Sequence, residues 1–410
     1  MCGIAGWIDY QASREDAGRL LEGMKRAIWH RGPDEEGSFV DERAAIGMQR
    51  LSIIDLAGGR QPMANEDGTI WIVFNGEIYN YPRLRPELEQ KGHRFATDSD
   101  TEAILHLYEE LGDECPTALE GMFAFCIWDT RKGRARGRAL LARDRLGKKP
   151  LFYSQGVGGL LFGSELKALL CHPGLSREVD LQALDTYLAL NYTLAPRTML
   201  REVQQVRPGH RLVYEGGRVR ESAYWTLRKG APPDGDAVEA FLETFGEAVR
   251  KRLLADVPLG AFLSGGIDSS AVVATMQRAM GAPARTFCLA FKEESWGEQD
   301  YARRAARYVG AAHQESEVPG EPLADALPRI VAALDEPHGD TSAVPMYYLC
   351  QATRRGVTVA LSGDGGDEVF GGYETYVADA VRPLYGRLPA GVRTGIEGPR
   401  VRAQPASGRK

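Results

Sequence analysis

Residues 259–274 constrain the fold more than any other stretch of this chain. Leu259-Gly260-Ala261-Phe262-Leu263 is a short apolar run, Ser264-Gly265-Gly266-Ile267-Asp268-Ser269-Ser270 is a glycine-rich turn, and Ala271-Val272-Val273-Ala274 opens a helical pattern. A buried strand that passes through a glycine turn into a helix is half of a βαβ unit, which closes on a parallel sheet. The neighbouring pattern agrees: residues 237–254 and 301–309 read as helices, and 285–291 and 357–361 as strands. Strands alternating with helices predict an α/β domain here. In the turn itself, two glycines let backbone N–H groups approach an anion closely, and the helix N-terminus adds unpaired donors and partial positive charge. No Gly-Lys-Ser/Thr follows, so it is not a Walker loop. A plain strand-to-helix turn is the alternative reading of these residues alone.

The first 205 residues have a different texture. Residues 69–74, 122–129, 139–143, 151–154 and Leu160–Gly163 read as strands, with helical spacing over 101–111 and Leu181–Leu190. At about 100–200 residues per domain, 410 residues predict two to three domains. The reading divides the chain into a domain over 1–205, a connecting segment over 206–236 and a second domain over 237–410. The best linker within that segment is Lys-Gly-Ala-Pro-Pro-Asp-Gly-Asp at 229–236.

Charge and cysteine usage exclude several classes. With 50 Lys+Arg against 56 Asp+Glu, the formal charge is −6, which offers no broad electrostatic grip on nucleic acid or an anionic membrane. The longest apolar stretch, 121–128, is far short of a membrane span. The N-terminus has no basic leader and reaches Asp9 at once, so it does not read as a secretory signal. The six cysteines form no C-x-x-C pair and do not cluster with the seven histidines, which argues against zinc and a disulfide framework and for a cytoplasmic setting.

Candidate chemistry falls in two groups. Cys2 follows Met1; were Met1 removed, thiol and free α-amine would share one residue, and an amine of pKa about 7.7–8.0 can take the thiol proton without a histidine. Position 2 alone says little. Arg50, in Arg50-Leu51-Ser52-Ile53-Ile54-Asp55, offers a guanidinium for a substrate carboxylate. Asn75-Gly76-Glu77 offers an amide and a backbone N–H as oxyanion donors beside a carboxylate for an ammonium. Asn75-Gly76 equally suits a type I′ hairpin turn, and the residues alone leave both open. In the second half, Ser362-Gly363-Asp364-Gly365-Gly366-Asp367-Glu368 places three acids within five positions, which with Asp268 suits Mg²⁺ held by carboxylates and phosphate oxygens.

Taken in order, M-C-G-I-A-G, R-G-P-D, R-L-S-I-I-D, N-G-E-I-Y-N, S-D-T-E and R-D-R-L-G-K-K-P-L resemble the class II glutamine amidotransferase domain. The S-G-G-I-D-S and S-G-D-G-G-D-E motifs, with Asp335-Glu336-Pro337 and 340–343, resemble the ATP-pyrophosphatase domain of the glutamine-dependent asparagine synthetase family. The resemblance implies an αββα N-terminal-nucleophile sandwich of the α+β class, followed by an α/β parallel-sheet domain. It implies glutamine hydrolysis through a thioester on Cys2, with Asn75 and Gly76 as the oxyanion hole. Arg50, Leu51, Ile54, Asn75, Gly76, Glu77 and Asp100 would bind glutamine, Asp100 being favoured over Asp98 by the S-D-T-E match. Leu263, Ser264, Gly265, Gly266, Asp268, Ser269, Leu289, Ser362 and Gly363 would bind ATP. Asp364 would be catalytic, and Asp268 and Asp367 would hold Mg²⁺. Glutamine, aspartate and ATP are the implied substrates, via β-aspartyl-AMP, with a homodimer as the expected assembly.

Two departures qualify these expectations. The family usually has Glu where this chain has Asp364, and its synthetase domain continues well past the S-G-D-G-G-D-E motif. A truncated C-terminus is therefore expected, with Mg²⁺-ATP binding but weak or absent asparagine formation. Related amidotransferases that act on other carboxylate acceptors are the alternative, as is a chain keeping only glutaminase activity. Retention of Cys2 favours ammonia transfer.

Overall fold

The computed structural model describes residues 1–231, 234–291, 297–318, 323–389 and 391–392. The strand Gly3–Ile8 follows Cys2 directly, and all six of its residues are buried. A strand covered on both faces reads as a continuous apolar run, as this one does. It pairs antiparallel with Ala44–Arg50 on one side and Leu160–Gly163 on the other. Phe152–Ser154 and Gln204–Gln205 extend the sheet at one edge and Glu35–Val40 at the other.

A second six-stranded sheet faces it, in the order Arg218–Ala223, His210–Glu215, Arg138–Arg143, Gly121–Asp129, Ile70–Ile78 and Met63–Ala64. The inner faces mesh in one core, where Ile4, Ile46, Met48 and Phe162 meet Val73, Cys126, Trp128 and Leu141. The helix Arg14–Ala27 seals the outside of the first sheet through Leu21 and Met24. The helices Tyr81–Gln90 and Asp100–Leu111 seal the second through Leu84, Leu88, Ile104 and Tyr108. The result is the expected αββα sandwich.

Residues 206–236, expected to connect the domains, contribute a hairpin to this sandwich: His210–Glu215 and Arg218–Ala223 pair with each other and add to Arg138–Arg143. Pro232 and Pro233 of the expected linker lie outside the described residues. Asn75 and Gly76 form no hairpin turn. They sit mid-strand opposite Ala124 and Phe123, because the apolar pairing of Ile70–Ile78 with Gly121–Asp129 continues straight through them.

The second domain holds a four-stranded sheet in the order Ala312–Glu317, Arg285–Ala290, Leu259–Phe262, Val359–Leu361. Every ladder in it is parallel. Ala237–Lys251, Ile267–Ala279 and Gln299–Val309 pack on it around Val249, Val273, Met276 and Ala306. Leu323–Leu334 and Ala343–Thr353 pack around Leu289 through Ile330 and Tyr348. Strand order reverses at Leu259–Phe262, between its neighbours 285–290 and 359–361. Crevices at such reversals, beyond the carboxyl ends of the strands, are where open α/β sheets bind ligands. Both acidic and glycine-rich motifs of this half begin there.

Candidate active site

Cys2 and Arg50 are brought together by register: Gly3 pairs with Gln49, so the residues flanking that pair share one end of the first sheet. Asn75, Gly76 and Glu77 come from the facing sheet. Asp100 is placed by the cap of its helix, where the Ser99 side chain accepts from the Thr101 N–H. These elements line a small pocket open to solvent, bounded by Cys2, Arg50, Leu51, Ile54, Gly76, Glu77 and Asp100. Gly76 lies so close to the next strand that a Cβ there would meet the Met122 carbonyl at 2.2 Å.

The Cys2 thiol contacts the backbone of Leu51, accepting from its N–H at 3.4 Å and facing its carbonyl at 3.5 Å. Burial raises the thiol pKa, partly offset by the N-terminal amine and the Leu51 hydrogen bond. A thiol held up in this way needs a base to react. Burial also lowers the Met1 α-ammonium to about 5.

Asn75 does not line the cavity, but its carboxamide is buried with neither nitrogen nor oxygen hydrogen-bonded. Glu77 and Asp100 are a carboxylate pair, Asp100 buried and Glu77 half-buried. Burial raises both, and for Glu77 the neighbouring Asp100 charge adds to it. Asp100 accepts from the Ile78 N–H at 2.8 Å, which pulls the other way. Such a pair is suited to an ammonium, which restores the ionised form of both.

Arg50 is buried, as binding of a carboxylate requires, but its guanidinium is already engaged. Nη1 donates to Glu35 and the Leu56 carbonyl, and Nη2 donates to the carbonyls of Ile54 and Asp55 at 3.1 and 2.7 Å. It therefore shapes the loop after Leu51 as well as facing the cavity. That loop also touches the second domain, since Asp256 accepts from the Asp55 N–H at 2.8 Å and donates to the Ile53 carbonyl at 2.9 Å.

Three residues of this neighbourhood carried no sequence assignment. Lys149 is buried, and burial lowers its pKa against the pull of Glu77 and Cys2. It stood in the R-D-R-L-G-K-K-P-L motif, but paired lysines ordinarily read as a solvated turn. Arg31 Nε donates to the Cys2 carbonyl at 2.9 Å and its Nη1 to Glu165 at 2.7 Å. Against the effect of burial, His30, Lys167 and Arg31 hold the Glu165 carboxyl down at about 2. Nothing local in the sequence marks Glu165.

The second group of residues assembles at the reversal of strand order. Gly265 takes φ 83° and backs onto Tyr301 and Ala302, where a Cβ would lie 2.3 Å from the Tyr301 carbonyl carbon. Ser264 and Ser269 bridge the turn, Oγ to Oγ, at 2.9 Å. A Cβ on Gly366 would meet Asp268 Oδ2 at 2.3 Å, and one on Gly363 would meet the Ser269 nitrogen at 2.8 Å, so the two motifs are in contact. Leu263 and Leu289 are buried beneath them. Asp364 is exposed and accepts from the Ser362 hydroxyl at 2.8 Å. Asp335 and Glu336 lie elsewhere, against the first domain. Asp335 accepts from the N–H groups of Leu166 and Lys167, and Glu336 accepts from Thr193 and Gln205 at 3.2 and 3.0 Å.

The carboxylate pair makes a pH prediction. Protonating either acid removes charge that an ammonium needs, and both are raised, so kcat/KM for glutamine falls as pH drops through the Asp100 pKa of about 6. The expected loss is about tenfold per pH unit below that point. Glutamate release measured from pH 8 to 5 checks this, and a flat profile would remove the pair from ammonium binding.

Residues 1–225 match the family model for the glutamine amidotransferase domain, and residues 240–409 match that for asparagine synthase. Asparagine synthetase [glutamine-hydrolyzing] 1 of Bacillus subtilis is 37% identical over 96% of this chain and 62% of its own length. A putative asparagine synthetase of Mycobacterium tuberculosis is 38% identical over 92% of this chain and 61% of its own. A putative asparagine synthetase 2 of Methanocaldococcus jannaschii is 34% identical over 96% of this chain and 79% of its own. The chain thus spans about three fifths of the length of the first two.

Proposed function

This chain belongs to the family of glutamine-hydrolysing asparagine synthetases, and on that premise we propose that it transfers ammonia from glutamine to an ATP-activated aspartate. The observation that carries the first half is one pocket shared by the Cys2 thiol, the Glu77 and Asp100 carboxylates and Arg50. Glutamine would place its α-ammonium at Glu77 and Asp100 and its α-carboxylate toward Arg50. With Met1 removed, the Cys2 amine would take the thiol proton, and Sγ would attack the side-chain amide carbon. The Asn75 carboxamide and the Gly76 N–H would stabilise the oxyanion. Expulsion of ammonia, with the proton returned to it, would leave a thioester that water cleaves to glutamate.

In the second half, the glycine-rich turn at 264–269 and the turn at 362–366 would bind ATP, with Asp364 near the reacting groups. Asp268 and Asp367 are hard oxygen donors of the kind Mg²⁺ takes, and the close seat of Gly366 on Asp268 leaves the carboxylate unscreened by any side chain there. These residues fit the ion, which when bound would neutralise the triphosphate. The cytoplasmic setting stays part of this proposal, supported by six free cysteines. Among the described residues no helix is long and apolar enough to cross a membrane. The homodimer is likewise proposed, to be read by sedimentation.

The test is an assay of the full chain with glutamine, aspartate, ATP and Mg²⁺. Glutamate should form without ATP, whereas AMP, pyrophosphate and asparagine should appear together and only with aspartate. Pyrophosphate release that answers to a different carboxylic acid would move the reading to another acceptor.

A further inference from the structure

Away from both sites, two histidines and a glutamate converge at the far end of the helix that carries Asp100. Glu109 Oε2 lies 3.1 Å from His106 Nδ1 and 3.5 Å from His93 Nδ1. The imidazole rings are 4.7 Å apart, centre to centre. Ligand atoms bound at 2.0–2.2 Å to a tetrahedral ion lie about 3.3 Å from one another, so both nitrogen–oxygen distances already suit one ion. His106 is 1% exposed, and His93 and Glu109 are partly buried.

The remaining atoms of the cluster complete the pattern. His93 turns Nε2 to Glu110 at 3.1 Å, and His106 turns Nε2 toward Glu102 at 3.7 Å, where it has no hydrogen-bond partner. Glu109 Oε1 is held by the Asn65 amide at 2.9 Å, leaving Oε2 for the rings. Each imidazole thus faces a carboxylate with both nitrogens. A neutral ring has one N–H and one lone pair, so either tautomer aims a lone pair at a carboxylate. Two protonated rings would set two positive charges side by side, one fully buried, and one protonated ring would still leave the other aiming a lone pair at a carboxylate. A metal on both Nδ1 atoms takes up both lone pairs and one Glu109 oxygen, with the His93 Nε2–H donated to Glu110 at 3.1 Å and the His106 Nε2–H facing Glu102. That is the carboxylate–histidine–metal arrangement that orients ligands in protein metal sites.

We propose that His93, His106 and Glu109 bind a divalent transition metal, zinc being best matched by two imidazoles and one carboxylate. The expectation from cysteine and histidine spacing was no zinc; these ligands are a His, His, Glu set that only folding collects. The ion would tie residues 91–95 to the last turns of Asp100–Leu111, about 9–14 Å along the axis from Asp100. Its role is to fix that helix, and the reaction proposed above does not depend on it.

The untagged 410-residue chain, stripped with a chelator and desalted, is titrated with Zn²⁺ alone. Bound metal is counted by mass spectrometry, and Co²⁺ alone is added in parallel to read its visible d–d absorption. The Cys2→Ala protein is carried alongside to rule out zinc capture by the Cys2 thiol. One equivalent of zinc should bind in both, raising Tm. His93→Gln and Glu109→Gln should each weaken binding by about 100-fold or more and abolish the cobalt spectrum. Far-UV circular dichroism of the stripped variants shows that they fold, and His93, at the rim, is the variant least able to disturb the core. Failure of the parent protein to take up zinc, or unchanged uptake in folded His93→Gln and Glu109→Gln, overturns the proposal and leaves a proton-only histidine pair.

Discussion

Cys2→Ala should abolish glutamate release from glutamine, by on the order of 10³-fold or more in kcat. The proposed thioester needs a sulfur at this position, and among the described residues lining the cavity Cys2 is the one thiol. Fold stability should change little, because the thiol sits at the edge of the core and its hydrogen bonds with the Leu51 backbone are long, at 3.4 and 3.5 Å. Glutamine should still bind, since the residues assigned to its charged groups are untouched. The measurement is single-turnover glutamate formation together with glutamine binding by calorimetry. Glutamate formed at the parental rate would place the nucleophile elsewhere.

Asn75→Ala should lower kcat for glutamine hydrolysis by on the order of 10²–10³, with KM little changed, as expected when a donor acts only on charge that develops during reaction. The argument starts from stability. Leaving a buried polar group without a partner costs about 1–3 kcal/mol, and Asn75 leaves both ends of its carboxamide unpaired. A fold that places an amide there gains nothing from it in the resting state. Removing it should hold Tm steady or raise it while activity collapses. A Tm that falls by several degrees with kcat intact would make Asn75 a structural residue.

Much of this was legible along the chain because it depends on local order. The Ser264–Ser269 turn follows an apolar run and opens a helix, and that succession fixes a parallel sheet whatever surrounds it. Residues 181–190 form a helix bounded as the spacing predicts, with Asp180 capping its start. Cys2, Arg50, Gly76, Glu77 and Asp100 could be named from short motifs, and they do share a cavity.

Other features depend on which strand lies beside which, and a motif carries no record of that. Asn75-Gly76 fits a turn or a strand equally well by itself; only pairing with Ala124 and Phe123 makes it a strand. Arg50 reads as a free guanidinium, yet the returning loop supplies Ile54 and Asp55 carbonyls that occupy it. Residues 206–236 read as a connector because a short amphipathic hairpin is weak until an existing sheet edge, here Arg138–Arg143, pairs with it. Lys149 and Glu165 read as surface charge, and His93 and His106 as scattered histidines, because their partners are distant in sequence. The sequence by itself determined most of the elements, the candidate nucleophile and the order of the two domains, since these are read from motifs a few residues long. The tertiary structure alone decided which charges are buried together and how they pair, because burial and Coulomb energy depend on distance in space and not on separation along the chain.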